Sequence, residues 1–376
     1  MSTSIDFRYL SEPDMIAAGV TDMAACVDAM EQTFVLLHSG DYRMAGTNSD
    51  SHGAMVTFPD ESPFETMPKN TADRRFMAMP AYLGGSFGTS GMKWYGSNIA
   101  NREKGLPRSI LMFMLNDTDT GAPLALMSAN LLSAYRTGAV PGVGARFLAR
   151  EDAQVVGIVG PGVMARTSLA AFMATCPKID TVKVKGRSRA SLDTFNGWVS
   201  QEFPQLTVIE VDDIEDAVRD SDIVTYCTSG EIGDPSTYPL IRRDWLKPGA
   251  FLSMPASCEI DEGLKASDVR KVVDNIGLYD AWFEETEYPS HNTIPIIGCK
   301  FMDMIHDGSM PREELVDLGA VAAGAVEGRR NDDEIVILSV GGMPVEDVAW
   351  GTVVYRNAVE RGIGTPLNLW ESPALS

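Results

Sequence analysis

The sequence predicts an α/β protein in which a mostly antiparallel sheet precedes a parallel, doubly wound one. Beyond residue 154, apolar strand-like runs alternate with helical segments, and this order gives parallel strands joined by right-handed crossovers. Before residue 130, three apolar runs at 76–83, 90–97 and 109–116 follow one another without a helix between them. Gly and Pro turns divide these runs, which favours antiparallel pairing.

The elements around the first sheet follow from capping and periodicity. Ser11 begins a short helix, and apolar residues recur at helical spacing over 23–37. Residues 47–70 are rich in Ser, Pro, Asp and Asn, so we expect a surface loop that covers a site. A strand at 124–127 and a long helix over 130–150 complete this part, and the first domain should end within that helix.

A glycine-rich turn marks the start of the second sheet, where the apolar run 155–159 breaks into Gly-x-Gly-x-x-Ala and continues as a helix. Such turns are common, and the flanking strand and helix make this one more specific. The first glycine allows the bend, the second lets the backbone approach a pyrophosphate, and the helix N-terminus offers free N–H groups. We predict a dinucleotide site at Gly160, Pro161, Gly162, Val163 and Met164, with Cys227 and Thr228 after the fourth strand.

The alternation of strands and helices continues through the middle of the chain. The tail from Ile335 no longer follows it, and we expect that tail to return to the first domain. The further strand-like runs lie at 181–185, 206–211, 222–228, 250–253 and 271–274.

The corner after the second of these strands bears on the choice of cofactor. Enzymes that use NAD usually carry an acidic residue there, which binds the adenosine ribose. This chain instead has Arg187, Ser188 and Arg189, which suit a 2′-phosphate through charge-assisted hydrogen bonds. The corner therefore favours NADP over NAD, although a solvated basic turn at the start of a helix would look the same.

Two cations occupy apolar surroundings. Lys93 follows Met92 on a predicted strand, where it is either an edge residue that reaches solvent or a buried group of lowered pKa. A buried lysine of that kind donates protons or holds a carboxylate. Arg136 lies on an otherwise uncharged helical face, which fits a surface arginine or ion pair as well as a functional residue. Arg43, at the start of a loop, is in isolation a solvated residue.

Composition limits the partners and the chemistry. The 376 residues include 52 acidic and 31 basic ones, a net charge of −21 that argues against nucleic acid and anionic membranes. The five cysteines form no Cys-x-x-Cys pair, and no histidine lies at a catalytic spacing, so we expect neither a metal site nor a disulfide framework. We find no targeting signal and no apolar run of ~18 residues, and expect a cytoplasmic protein.

Several short motifs in order carry a resemblance that spans nearly the whole chain. The motifs are Met79-Pro80, Gly91-Met92-Lys93-Trp94, Gly105-Leu106-Pro107, Thr120-Gly121-Ala122-Pro123, Tyr135-Arg136-Thr137-Gly138-Ala139, Gly160-Pro161-Gly162 and Val345-Glu346-Asp347. With these motifs in this order, the sequence resembles the ornithine cyclodeaminase/mu-crystallin family.

The resemblance implies a fold, a cofactor and roles for three residues. A Rossmann NAD(P)-binding domain at 136–344 would be inserted into an α+β substrate-binding and dimerisation domain at 1–135 and 345–376. The protein would be a homodimer that acts on an amino acid or on an oxo acid and an amine. Lys93 would transfer a proton or polarise a carbonyl, and Arg43 and Arg136 would hold the substrate α-carboxylate.

The chain also departs from the family's cyclodeaminases. They carry a catalytic Asp in the loop after the fifth strand, with which neither Glu259 nor Asp261 aligns cleanly, and a glutamate at the position of Met77. We therefore expect an NAD(P)-dependent amino acid dehydrogenase or imine reductase, acting on the CH–N bond of an α-amino acid or an N-substituted one. A cyclodeaminase that forms proline from ornithine, and a mu-crystallin-like protein that binds NADPH and a small ligand, remain the alternatives.

Overall fold

The computed structural model describes residues 3–228 and 234–375, which form two compact units. The first unit comprises Met1–Asp22, Gly40–Arg136 and Met343–Ser376. The second unit comprises Met23–Ser39 and Thr137–Gly342. The chain therefore passes between the units four times, and each unit is assembled from separated segments.

The strands of the described residues are numbered in chain order. They are β1 (Ile5–Leu10), β2 (Tyr42–Met44), β3 (Ala54–Val56), β4 (Arg75–Leu83), β5 (Thr89–Ser97), β6 (Ser109–Asp117), β7 (Pro123–Ser128), β8 (Val155–Val159), β9 (Thr181–Lys185), β10 (Thr207–Glu210), β11 (Ile223–Tyr226), β12 (Leu240–Ile241), β13 (Phe251–Met254), β14 (Glu259–Ile260), β15 (Arg270–Val273), β16 (Leu315–Asp317), β17 (Val336–Ser339) and β18 (Thr365–Trp370).

The α-helices are numbered in the same way. They are α1 (Glu12–Ala17), α2 (Met23–Ser39), α3 (Asn130–Leu148), α4 (Val163–Thr175), α5 (Arg189–Glu202), α6 (Ile214–Val218), α7 (Glu262–Lys265), α8 (Ile276–Glu285), α9 (Ser290–Thr293), α10 (Ile297–His306), α11 (Leu318–Ala322) and α12 (Pro344–Glu360). Within the described ranges, none of them has both the length and the apolar character needed to span a membrane.

The first unit contains a sheet in the order β18-β1-β7-β6-β5-β4-β2, with β3 also paired to β4. Its neighbours are antiparallel except for the parallel pair β1 and β7. The predicted antiparallel strands are thus present. The pairing of β1 with β18 at the edge of the sheet was not predicted, because these strands lie too far apart in the chain for a local turn signal to connect them.

Helix α12 covers one face of this sheet, which we call the inner face. Buried and partly buried side chains alternate along β4, and the buried set of Met77, Met79, Ala81 and Leu83 lies on the inner face. A Cβ on Gly351 of α12 would lie 2.5 Å from the ring of Phe113, so this glycine lets the helix approach the sheet closely. The opposite side, the outer face, carries exposed apolar side chains.

The second unit contains a parallel sheet in the order β10-β9-β8-β11-β13-β17-β15-β16. This confirms the predicted doubly wound arrangement. The order reverses between β8 and β11, and ligands of such sheets bind where it reverses, at the carboxyl ends of the strands. The expectation for the tail is wrong at its start, because β17 lies between β13 and β15 and the chain re-enters the first unit only at Met343.

Helix α2 corrects the predicted division of the chain, which placed residues 1–135 in one domain. The helix belongs to the second unit, where it packs against α4 and α11. A Cβ on Gly319 of α11 would lie 2.6 Å from the carbonyl oxygen of Phe34, so the two helices meet at a glycine. Its apolar stripe was correctly predicted, but the stripe alone does not say which core buries it.

Candidate active site

Lys93 lies on the inner face, where β5 pairs it with Met79 on one side and with Phe113 on the other. The residue is only 2% exposed. Its Nζ lies 2.8 Å from Asp347 Oδ2 and donates to Ser133 Oγ at 3.2 Å. Burial and the positive charge of Arg136 lower the pKa of Lys93 to about 8, although Asp347 partly opposes the change. The Lys93 side chain can therefore exchange between its ammonium and amine forms near neutral pH.

Arg136 shares the carboxylate of Asp347 with Lys93. Its Nε donates to Asp347 Oδ1 at 3.0 Å, and its Nη1 donates to Glu346 Oε2 at 2.6 Å. Burial opposes the charge of Arg136, but Asp347 and Glu346 outweigh it and raise the pKa of the guanidinium. The carboxylates therefore fix both the charge and the orientation of Arg136.

The two carboxylates come from the first turn of α12, which begins with Pro344. Acidic side chains are favourable at a helix N-terminus because the helix dipole is positive there. Both carboxylates are fully buried, so each depends on the cations for compensation. The result is a buried network of Lys93, Arg136, Glu346 and Asp347 that carries two positive and two negative charges, which we call the inner-face charge network.

His52 has a strongly lowered pKa, although no histidine of the sequence lies at a catalytic spacing. It is half-buried in the segment between β2 and β3. Burial and the positive charges of Lys93 and Arg136 lower its pKa to about 3, so it is neutral at physiological pH. The charges of the inner-face charge network therefore act on His52. Its loop sequence contains no periodic signal that would have shown this.

Arg43 is not brought together with Lys93 and Arg136. The register of β2 sets Arg43 opposite Tyr82, whereas Lys93 lies opposite Met79. Directly paired residues share a face and successive residues alternate, so Arg43 points away from the inner face. Its exposed guanidinium donates to the carbonyl oxygens of Gly40 and Tyr42 at 3.1 and 2.5 Å. The expected role of Arg43 as a carboxylate clamp does not fit this position.

In the second unit, the glycine turn connects β8 to α4. Gly160 has a φ of +92°, and a Cβ there would lie 2.8 Å from Thr228 Cγ2 and 2.9 Å from the carbonyl oxygen of Cys227. Only glycine is therefore compatible with this bend and with the close approach of the chain after β11. Pro161 follows and lies close to Gly186, the residue after β9. A Cβ added to Gly186 would lie 3.1 Å from Pro161 Cγ.

The turn has the features that a dinucleotide needs. Gly162 is the N-cap of α4 without a side-chain cap, and a Cβ there would meet nothing within 4 Å. The space next to the helix N-terminus, formed with Val163 and Met164, is therefore open to a phosphate. Nearby, Thr228 Oγ1 is buried and has no hydrogen-bond partner among the described residues. An open cradle beside an unpaired hydroxyl fits the pyrophosphate of NAD(P).

The basic corner after β9 is partly neutralised. Ser188 is the N-cap of α5 and accepts from the N–H of Ser191, which leaves its hydroxyl with a structural task. Arg189 donates to both oxygens of Glu210 at 2.6 Å and to Asp193 at 2.8 Å. Arg187 is exposed and precedes this ion pair. Of the two arginines, Arg187 is the one better placed for a 2′-phosphate.

The loop after β13 contains acidic residues with structural tasks. Glu259 Oε2 lies 3.3 Å from Lys300 Nζ, and Asp261 caps α7 by accepting from Leu264. Met77 is buried on the inner face and accepts a hydrogen bond from Tyr95 Oη at its sulfur, at 3.3 Å. These positions agree with the departures from the cyclodeaminases found in the sequence.

Known proteins resemble this chain over most of its length. The N-((2S)-2-amino-2-carboxyethyl)-L-glutamate dehydrogenase of Staphylococcus aureus is 28% identical over 97% of this chain and 99% of its own. The alanine dehydrogenase of Archaeoglobus fulgidus is 30% identical over 78% of this chain and 83% of its own. An archaeal alanine dehydrogenase dimer with bound NAD has a TM-score of 0.75 and 25% identity, and the match covers 97% of this chain and 100% of that one.

The chain also matches the sequence profile of a protein family. The sequence profile of the ornithine cyclodeaminase/mu-crystallin family matches residues 19–362, which include segments of both units. The match covers the glycine turn, the basic corner and the whole inner-face charge network. The chain therefore belongs to the ornithine cyclodeaminase/mu-crystallin family.

Proposed function

We propose that this protein is an NAD(P)-dependent oxidoreductase that acts on the CH–N bond of an α-amino acid or an N-substituted α-amino acid. The inner-face charge network carries the proposal, because it holds a lysine with a pKa of about 8 beside a fixed arginine. The dinucleotide turn of the second unit and the two dehydrogenase relatives support it. Within that network, Lys93 and Arg136 would be the local cations that meet a substrate carboxylate in a protein whose net charge is −21.

The proposed reaction balances as a two-electron oxidation. The α-carbon loses its hydrogen as a hydride, the nitrogen loses a proton, and a C=N double bond forms; water then adds to the imine to give an oxo acid and an amine. Reduction runs the same steps in reverse. Bound NAD(P) would supply the hydride acceptor in one direction and the hydride donor in the other.

Each residue of the network has a proposed task. Neutral Lys93 takes the proton from the substrate nitrogen during oxidation, and protonated Lys93 returns it during reduction. Arg136 binds the substrate α-carboxylate, and its bonds to Glu346 and Asp347 hold the guanidinium in one orientation. Positioning of this kind lowers the entropic cost of bringing the α-carbon to the reacting geometry.

We also propose which residues hold the cofactor. The backbone of Gly160 to Met164 and the hydroxyl of Thr228 would bind the pyrophosphate, and Cys227 would shape the adjoining wall with its carbonyl. The preference for NADP over NAD rests on Arg187, because Arg189 is engaged with Glu210. Ser188 would add its hydroxyl only if it left the helix cap.

The outer face of the first unit supports a homodimer as the assembly. It exposes a group of large apolar side chains, of which Trp94 is 41% and Ile110 is 51% exposed. The rings of Phe76 and Trp94 stack on this face with centroids 5.8 Å apart. A contiguous apolar surface of this kind usually marks an interface. Sedimentation equilibrium tests the proposal, and a monomer at micromolar concentration would contradict it.

A cytoplasmic location is proposed from the cysteines. All five carry free thiols, which is the usual state in a reducing compartment. Fractionation of cells followed by detection of the protein tests this, and recovery from a secreted or periplasmic fraction would contradict it.

An amino acid panel tests the proposed reaction. The purified protein is incubated with NAD⁺ or NADP⁺ and single amino acids, or with the reduced cofactor and pairs of an oxo acid and an amine, and absorbance of the reduced nicotinamide is followed. We expect net formation or consumption for a subset of the panel. A cyclodeaminase would convert ornithine to proline without net change of the cofactor, and a binding protein would show cofactor affinity without turnover.

A further inference from the structure

A second group of cations, Arg75 and Arg108, lies at the end of the sheet where β4 begins and β5 ends. Arg75 lies on β4 opposite Ser97 of β5, and Lys93, Tyr95 and Ser97 follow one another on the same face of β5. Arg75 therefore lies at the far end of the row that begins with Lys93. Because the positions come from the register of long paired strands, the row is as rigid as the sheet itself.

The ring of Tyr95 lies near both Arg75 and Lys93. Arg75 Cζ is 5.8 Å and Lys93 Nζ is 5.9 Å from the ring centroid, within cation–π range in both cases. The distance between Arg75 Cζ and Lys93 Nζ is therefore at most the sum of these two distances. That span is within reach of one small molecule with an anionic group at each end.

The second cation group has fewer negative partners than positive charges. Arg75 and Arg108 both pair with the single carboxylate of Asp73, at 2.8 Å in the case of Arg108. Ser97 Oγ donates to the same carboxylate at 2.6 Å, which fixes its orientation. Burial and the positive charges of Arg75 and Arg102 lower the pKa of Arg108, as expected where cations outnumber carboxylates.

The surplus of charge remains partly accessible. The side chains of Arg75 and Arg108 are 23% and 43% exposed, whereas Asp73 is only 17% exposed. The carboxylate is therefore more covered than the guanidinium groups that it holds.

We propose that Arg75, with Arg108, forms a subsite for a second carboxylate of the substrate, so that the protein acts on dicarboxylic amino acids. The second carboxylate lies on the side chain or on the N-substituent, several bonds from the reacting α-carbon. Arg75 and Arg108 bind it through charge-assisted hydrogen bonds, while Arg136 holds the α-carboxylate and Lys93 faces the reacting nitrogen. This inference rests on the proposed function, since it names the substrate class of the same site.

Matched ligand pairs that differ in one charge test the subsite. The pairs are L-aspartate with L-asparagine, L-glutamate with L-glutamine, L-2-aminoadipate with L-norleucine, and N-(carboxymethyl)-L-alanine with N-ethyl-L-alanine. Calorimetric binding to the NAD(P)-loaded protein and kcat/KM are measured for each. We expect the dicarboxylic member of at least one pair to bind about tenfold more tightly or better. The first three pairs report a side-chain carboxylate and the fourth an N-substituent.

Two variants assign the preference to the subsite. Arg75→Gln should abolish the preference through KM, with kcat little changed, because the reacting end of the substrate is held elsewhere. Arg74→Gln is the matched control: Arg74 donates to the carbonyl oxygen of Lys69 at 2.8 Å and lines a groove with Phe76 and Trp94 on the outer face. It should keep the preference. If Arg75→Gln fails to fold, Arg108→Gln, the more exposed member, replaces it.

The outcomes separate the two proposals. A wild-type protein that treats both members of every pair alike, or an Arg75→Gln variant that keeps the preference, overturns the subsite. Turnover of monocarboxylic amino acids without any charge preference leaves the proposed function intact and also overturns the subsite. A third outcome is that the wild-type protein binds the dicarboxylic ligands more tightly, Arg75→Gln loses this preference, and no nicotinamide is oxidised or reduced. That outcome supports the subsite and contradicts the proposed function.

Discussion

The two candidate sites of this protein are built in opposite ways. The inner-face charge network of the first unit uses side chains from β5, α3 and α12, so that residues 93, 136 and 347 meet only in the folded unit. The turn of the second unit uses the backbone of one continuous segment, 160–164, and has no charged residue in it. One site depends on burial and charge, the other on local backbone geometry.

This difference teaches where each kind of function can be altered. A pKa of about 8 on Lys93 exists because the fold removes the lysine from water and places Arg136 and Asp347 around it. The open cradle at Gly162 exists because that residue has no side chain. Substitutions in the network of the first unit should therefore change proton transfer and leave cofactor affinity unchanged. Substitutions in the turn of the second unit should change cofactor affinity and leave proton transfer unchanged.

The largest effect is expected at Lys93. Lys93→Ala should lower kcat by about 10²–10⁴-fold, the usual contribution of a positioned acid–base group, and should leave the affinity for NAD(P) unchanged. Lys271→Ala is the control, since Lys271 is also fully buried on a strand but donates to the carbonyl oxygen of Ala266 in the second unit. Steady-state rates and cofactor titration decide it, and a Lys93→Ala variant with full turnover would remove the proposed role.

The second largest effect is expected at Gly162 and concerns only the affinity for the cofactor. Gly162→Val places a side chain in the open space beside the α4 N-terminus, so we expect Kd for NAD(P) to rise by about tenfold or more with an unchanged Tm. Gly197→Val in α5 is the matched control, because a Cβ there also meets nothing within 4 Å. Fluorescence titration and thermal unfolding measure both. Normal affinity in the Gly162→Val protein would show that the turn does not bind the cofactor.

The third effect is a change of pH profile. In the oxidative direction kcat/KM should rise with pH through about 8, because neutral Lys93 is the base; in the reductive direction it should fall over the same range. Asp347 raises the pKa of Lys93, so Asp347→Asn should move both transitions to lower pH. Glu346→Gln removes a weaker influence and should move them less. Unchanged transitions in Asp347→Asn would show that another group titrates.

The smallest effect concerns the choice between the two cofactors. Arg187→Ala should weaken NADPH binding several-fold and leave NADH binding unchanged, because only the former carries a 2′-phosphate. Arg189→Ala should do less, since Glu210 and Asp193 already hold that guanidinium. Parallel titrations with both nucleotides measure the ratio. A larger loss in Arg189→Ala than in Arg187→Ala would reverse the assignment within the corner.

Local signals predicted the strands well and the long-range placements poorly. The runs at 76–83, 90–97 and 109–116 became β4, β5 and β6 with ends shifted by at most one residue. Periodicity found the helix over 23–37 but could not say which core would bury its stripe. The parallel strand β17 was assigned to a returning tail, because the order of strands in a sheet is not written in the order of the chain.

The residues of the candidate site show the same limit. Lys93 and Arg136 stood out because a charge in apolar surroundings is unusual, and the structure brings them together. Arg43 followed from the family resemblance, yet the register of β2 turns it to the outer face. His52 lies in a polar loop without periodicity, so only the folded chain shows that the charges of Lys93 and Arg136 lower its pKa.

The sequence by itself determined the fold class, the dinucleotide turn and the family, because each depends on neighbours in the chain: alternating elements, three small residues, short motifs in order. Only the tertiary structure decided which charges meet. Asp347 partly neutralises the charges of Lys93 and Arg136. Asp73 pairs with both Arg75 and Arg108. The register of β2 decides on which face of the sheet Arg43 lies. Burial and charge act through space, and distances in space are set by packing.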